Sequence, residues 1–186
     1  MKSVRALRGH EEGRVPEICV LEFDGDLTDF LVASKRANRF DRWACFHTTM
    51  YTLDCDGLSV GIIARTIGGP YSVLVAEQLH AAGARLVVGI TSAGRIAPDL
   101  PLPCLVVATS AIRDEDTSYH YLPPASEVDC PSLIEAHLRH ELIATGWEVR
   151  SGRVWTTDAP YRESGDEIRR WGAEGVHPRR PEHPPG

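Results

Sequence analysis

The sequence predicts an α/β fold built around a central sheet. Two observations carry this: short apolar runs of strand length alternate with longer stretches of helical spacing, and Gly, Pro and Asp punctuate the junctions between them. Residues 17–23 form an apolar run with Ile18, Val20 and Leu21, read as a strand. The turn-forming group Asp24-Gly25-Asp26 closes it, and a short helix is expected next. Between Trp43 and Ala64 two β-prone runs flank Asp54-Cys55-Asp56-Gly57. Asp-Gly in that setting predicts an antiparallel hairpin, because glycine accepts positive φ. Gly68-Gly69-Pro70 then opens a helix along which Val73, Leu74, Ala76, Leu79 and Ala82 keep helical spacing until Gly83 ends it. Residues 85–90 are almost continuously apolar, which predicts a strand buried on both faces of a mostly parallel sheet, with residues 91–94 as the loop at its carboxyl end.

Residues 104–109 repeat that buried-strand pattern. The polar segment 110–129, rich in Pro, Asp and Tyr, is too long for a simple connection and is expected to line a site. In 132–145, Ile134, Leu138 and Leu142 recur every four positions; Ser132 is expected to cap this helix and Gly146 to end it. Residues 147–156 return to the sheet, and Ser164 or Asp166 can cap a last short helix running to about Ala173. The tail, 177–186, holds four prolines and almost no apolar side chains. It cannot bury enough surface to offset its ordering entropy, so residues 1–176 are expected to form one domain and the tail to be disordered. Ligands of such sheets bind beyond the carboxyl ends of strands, where loops 91–94, 110–121 and 156–162 are expected to share one edge.

Bulk properties narrow the function classes. The 186 residues, 42% hydrophobic, suffice for one domain with a sizeable core. The formal charge of −6 with both signs interspersed leaves no basic stripe, which argues against a nucleic-acid partner. No apolar run approaches the roughly 20 residues that cross a bilayer, and residues 1–14 are polar, so a cytoplasmic protein without a membrane partner is expected. Five scattered cysteines without a Cys-x-x-Cys pair fit reduced thiols, most of them core fillers. His47 reads as structural; His137 and His140 lack a third ligand and read as a solvated face, so no metal is expected.

Four stretches carry a resemblance: IGGP at 67–70, ITSAGR at 90–95, RDEDTSYHY at 113–121 and WTTDAPYRE at 155–163. In wording, order and spacing they resemble the nucleoside phosphorylase superfamily of the uridine and purine nucleoside phosphorylase type, over residues 59–176. The resemblance implies a three-layer α/β/α fold with a central mixed sheet. It also implies a pentosyltransferase reaction, cleavage of the N-glycosidic bond of a purine or pyrimidine nucleoside by phosphate to free base and ribose 1-phosphate. Positive charge grows on the sugar and negative charge on the leaving base, so catalysis rests on positioning an anion under the sugar and stabilising the base.

The resemblance places phosphate, a co-substrate and not a cofactor, at Gly68, Gly69, Thr91 and Ser92. The two glycines can bring backbone N–H groups to an anion at a helix N-terminus, or serve only as a tight strand-to-helix turn. Ser92, beside Thr91, stands where the family has a phosphate-binding hydroxyl. On the nucleoside side it implies Tyr119, His120, Tyr121, Thr156, Thr157, Asp158 and Tyr161, with Asp158 either a base-binding group or a backbone cap. Partners implied are nucleoside and phosphate, with homo-oligomers as the family's habit.

The chain also departs from the pattern. Gly89 stands where uridine phosphorylase-like enzymes have an arginine; Arg65, Arg95 and Arg113 are candidate substitutes, and nucleosidases that use water lack that arginine too. Asp116 stands where the family usually has glycine. Beyond Val176 no residue matches the family's ribose-binding glutamate or general acid. The resemblance therefore implies a domain missing its C-terminal strand and helix, with impaired turnover. A nucleosidase, a non-catalytic nucleoside- or base-binding module and a structural remnant stand as alternatives, and no catalytic residue is assigned.

Overall fold

The computed structural model describes residues 14–45 and 47–176 and the backbone of 178–179. The chain divides into two compact units that meet in sequence between Ala93 and Gly94. Each holds a mixed sheet, as the predicted α/β class requires.

In the first unit, strand β1 (Ile18–Glu22) leads into helix α1 (Asp26–Ala33), a short strand β2 (Ala37–Arg39), the hairpin β3 (Met50–Cys55) and β4 (Leu58–Ala64), helix α2 (Gly69–Ala81) and strand β5 (Leu86–Ile90). Strand order is β2-β3-β4-β1-β5. The hairpin pairs are antiparallel, while β4, β1 and β5 run parallel, Leu21 lying opposite Ile63 on one side and Gly89 on the other. The predicted hairpin turn is present, with both Asp56 (φ 53°) and Gly57 (φ 84°) in the left-handed region.

Alternation along the strands separates two apolar faces. Ile63, Cys19 and Leu21 pack with Val75 and Leu79 of α2, whereas Ile62 packs with Leu31 of α1 and Ala37. A helix thus covers each face of this sheet, giving it three layers.

The second unit contains β6 (Leu105–Asp114), a 3-10 turn (Thr117–His120), β7 (Glu127–Asp129), helix α3 (Ser132–Ala144), β8 (Val149–Thr157), a second 3-10 turn (Pro160–Arg162), helix α4 (Gly165–Ala173) and the two-residue strand β9 (Pro178–Arg179). Strand order is β7-β6-β8-β9, with β6 and β8 parallel and the outer pairs antiparallel. Apart from β9, the expectation for the tail lies outside the described residues.

Four local expectations are corrected. Strand β5 lies at the edge of its sheet and is only half-buried, with Gly89 and Ile90 exposed, so its apolar run reflects one covered face and not two. Strand β6 runs on through Asp114 where a loop was expected. Pairing on both flanks explains this: past a shift in register between Ala108 and Ser110, residues 110–114 pair with β8, while residues 110–112 pair with β7 in a ladder that the Cys130 N–H to Thr109 carbonyl bond extends. Helix α3 has Pro131 at its N-cap, with Ser132 inside the first turn making no cap bond. Only Cys19 and Cys45 are buried among the five cysteines.

Candidate functional site

The phosphate candidates all fall at the carboxyl edge of the parallel trio β4, β1 and β5. Strand β4 is followed by Arg65, Thr66 and the Gly68-Gly69 turn, β1 by Phe23 and Asp24, and β5 by Thr91 and Ser92. Backbone bonds clamp the three ends together: the Thr66 N–H donates to the Glu22 carbonyl (3.3 Å) and the Phe23 N–H to the Ile90 carbonyl (3.0 Å).

Helix α2 starts with Gly68 at φ 94°, ψ 138°, which a side chain would strain, and it carries proline in its first turn and no side-chain cap. Ser72 turns its hydroxyl back to the Thr66 and Gly68 carbonyls instead. Helix α1 is arranged oppositely. Glu22, 4% exposed, folds its carboxylate onto the helix start, accepting from the N–H groups of Gly25 (3.0 Å), Leu27 (2.8 Å) and Thr28 (2.9 Å) and from the Thr28 hydroxyl (2.5 Å). The chain's own anion thus fills that terminus, where dipole and free amides favour negative charge.

Ser92 is engaged in the same manner. Its N–H donates to Asp24 Oδ2 at 2.7 Å and its hydroxyl to Asp24 Oδ1 at 3.1 Å, a two-point clasp on one carboxylate. The Thr91 hydroxyl donates to the Ser92 carbonyl. Asp24 escaped the sequence reading, where it served only as a turn former. The signal available was its position, directly past the carboxyl end of an apolar strand.

The three arginines considered as substitutes are each committed elsewhere. Arg65 adopts φ 58°, unusual for a non-glycine residue, and pairs with Asp29 at 2.5 Å; that hydrogen bond, and next the charge of Asp29, raise the guanidinium above its ordinary value. Its side chain lies over the β1–α1 turn, since a Cβ on Gly25 would come within 2.9 Å of Arg65 Cζ. Arg95 donates to the Leu100 carbonyl. Arg113, 6% exposed, donates through Nε to the Ser118 hydroxyl (2.7 Å) and through Nη1 to the Pro123 carbonyl (2.8 Å), with the guanidinium 4.0 Å from the Tyr119 ring centre.

The nucleoside candidates gather at the carboxyl ends of β6 and β8 in the second unit. The register sets Arg113 opposite Thr156 and Asp114 opposite Thr157, so the two stretches singled out in the sequence, 113–121 and 155–163, leave adjacent strands side by side. The Asp158 N–H donates to the Asp114 carbonyl (3.3 Å), its Oδ2 accepts from the Asp116 N–H (3.2 Å), and Trp155 Nε1 donates to Asp114 Oδ2 (3.0 Å). Of the two roles open to Asp158, the backbone cap is therefore in place. Asp116 sits at φ −96°, a conformation any residue adopts, so its replacement of the family's glycine carries no strain.

Tyr119 and His120 lie on the first 3-10 turn with Tyr121 closing it, and all three side chains are exposed. The Tyr119 hydroxyl donates to the Ala125 carbonyl at 3.1 Å, tying that ring to its own loop. Thr156 is exposed, the Thr157 hydroxyl accepts from the Ala159 N–H (3.1 Å), and Tyr161 on the second 3-10 turn is fully exposed. Thr91 and Ser92 thus lie at the carboxyl end of the parallel set of the first unit, and segments 113–121 and 155–163 at that of the second. No helix among the described residues is long and apolar enough to cross a membrane.

Comparison with known proteins decides the family. A model of the phosphorylase superfamily matches residues 17–177. The chain belongs to that superfamily. It is 26% identical over 174 residues to the guanosine phosphorylase of Halorubrum lacusprofundi, covering 87% of this chain and 66% of that protein. It is 29% identical over 123 residues to the uridine phosphorylase of Thermococcus kodakarensis, covering 64% of this chain and 42% of the other. The chain thus spans less than two thirds of the length of either relative. In structure it resembles uridine phosphorylase from Vibrio fischeri with a TM-score of 0.74 at 22% identity, covering 89% of this chain and 70% of that one, a likeness of fold.

Proposed function

We propose that this superfamily member cleaves the N-glycosidic bond of a purine or pyrimidine nucleoside, with phosphate as co-substrate. The carrying observation is the placement of the two nucleoside stretches: β6 and β8 are parallel neighbours in register, so Tyr119, His120 and Tyr121 leave one strand end beside Thr156, Thr157 and Tyr161 leaving the other. Exposed aromatic rings and hydroxyls at the carboxyl end of a parallel pair suit a sugar and its base, the rings offering apolar faces and the hydroxyls hydrogen bonds. In this reading phosphate takes its donors from the uncapped start of α2 at Gly68 and Gly69 and from Thr91 and Ser92.

Incubation of the purified chain with inosine, guanosine, adenosine and uridine, each with and without inorganic phosphate, tests the proposal. Free base together with ribose 1-phosphate, formed only when phosphate is present, is the expected result. Base released equally without phosphate would replace phosphorolysis by hydrolysis. Absence of base from every nucleoside, in a protein shown to be folded, would reject the activity.

A further inference from the structure

We propose that Asp24 is a built-in competitor for phosphate at Ser92, so that phosphate binds only after the Asp24 carboxylate has let go. This rests on the reading of Ser92 as a phosphate ligand given above. The geometry is that of a bound anion: one carboxylate receives both the backbone N–H and the hydroxyl of Ser92, at 2.7 and 3.1 Å. Those are the two donors this residue owns, and a phosphate oxygen would need the same ones. While the clasp is closed, Ser92 has nothing left to offer a second anion.

The surroundings strengthen the competition. Glu22 already holds the N-terminal amides of α1, so the β1–α1 turn has no vacant amide cluster for phosphate to use in compensation. Along the same turn Asp26 and Asp29 stand in the first turn of α1, and Arg65, the cation lying over Gly25, is paired with Asp29. A dianion arriving at Ser92 therefore meets the charge of Asp24, while Arg65, the cation over this turn, is already committed to Asp29. Both Asp24 and Ser92 are exposed, so the carboxylate can swing into water on release. Asp24 thus lowers phosphate affinity without blocking the position permanently.

Calorimetric titration of the full chain with inorganic phosphate, in wild type, Asp24→Ala and Asp24→Asn, tests the inference. Wild type should bind phosphate weakly, Asp24→Ala at least tenfold more tightly, and Asp24→Asn, which removes the charge but keeps the size, with a smaller gain. Adding Ser92→Ala to Asp24→Ala should cut the gain, leaving the part owed to the backbone N–H, and so locate it. Equal affinity in wild type and a folded Asp24 variant would overturn the inference, as would a gain left undiminished by loss of the Ser92 hydroxyl. Should both variants fail to fold, the wild type still decides: micromolar phosphate binding would contradict a competitor at Ser92, and binding in the millimolar range or weaker would support it. The nucleoside assay stays independent, because phosphate can tighten in Asp24→Ala with no base released, and base can be released with phosphate affinity unmoved.

Discussion

Asp158 and Asp116 lock two strand ends together: the Asp116 N–H donates to the Asp158 carboxylate at 3.2 Å, while the neighbouring Asp158 N–H donates to the Asp114 carbonyl. The loop after β6 and the loop after β8 are thus held as one piece. Asp158→Ala should destabilise the chain by about 1 kcal/mol, the usual worth of one such hydrogen bond, whereas Asp158→Asn retains an acceptor and should stay within a few tenths of wild type. Urea unfolding of both variants checks this. Equal losses in the two would mean that the side-chain oxygen is not the group that matters.

Glu22 offers a larger effect. Its buried carboxylate receives four hydrogen bonds, and an amide in its place would aim two N–H groups at donors. Glu22→Gln should cost roughly 3 kcal/mol and Thr28→Val about 1 kcal/mol, from one lost hydroxyl donor. Thermal unfolding of the pair should rank them in that order. A neutral Glu22→Gln would show that the carboxylate does not hold the start of α1.

Helix α4 provides a pH test. Ser164 and Glu167 form a reciprocal capping box, and the hydrogen bonds from the Ser164 hydroxyl and N–H lower the Glu167 pKa from its ordinary value. A carboxylate depressed in the folded state contributes stability above its unfolded pKa and loses it as pH falls through the lowered folded one. Amide exchange in α4 should therefore stay slow from neutral pH down past the ordinary glutamate range and quicken only below it. Fraying with a midpoint at or above about 4.3, the reference glutamate value, would contradict the box.

Cys19 is pushed the other way, to about 11, chiefly by burial and against a smaller pull from the Gly61 backbone. Raised above its unfolded value, the thiol adds stability that is complete below the ordinary thiol range and fades as pH climbs through about 11. At pH 8, iodoacetamide should modify the exposed Cys55 and leave Cys19 untouched in the folded protein. Mass spectrometry of the digest reads both sites; rapid labelling of Cys19 would mean that β1 opens readily.

Most of the fold was legible because each element announces itself locally. The Asp56-Gly57 turn, the Gly68-Pro70 helix start and the Ser164 cap are all where short-range chemistry puts them. What escaped depends on distant partners. Nothing near Thr109 says that its carbonyl will go to Cys130, so the extension of β6 through Ser110 to Asp114 stayed hidden, and a buried Arg113 looked like loop text. Likewise the edge position of β5 is a property of the whole sheet and not of residues 86–90.

The candidate site divides along the same line. The motifs fall at strand ends, with Ser92 past β5 and Thr156 paired with Arg113. They could not reveal that Ser92 would be held by Asp24, 68 positions away in the chain, since only the parallel pairing of β1 with β5 brings those two ends together.

Strand β1 acts as a ruler. Hydrogen-bonded on both flanks, with Glu22 level with Ala64 and Ile90, it sets how far its own carboxyl tip projects beyond its neighbours. A slip of one residue would turn Glu22 to the opposite face, empty the α1 terminus of its anion and pull Asp24 out of step with Ser92 in the same movement. Met50 on β3 and Leu79 on α2, which share a core with Cys19 and Leu21 of β1, thus back the strand whose register sets the charges at the rim.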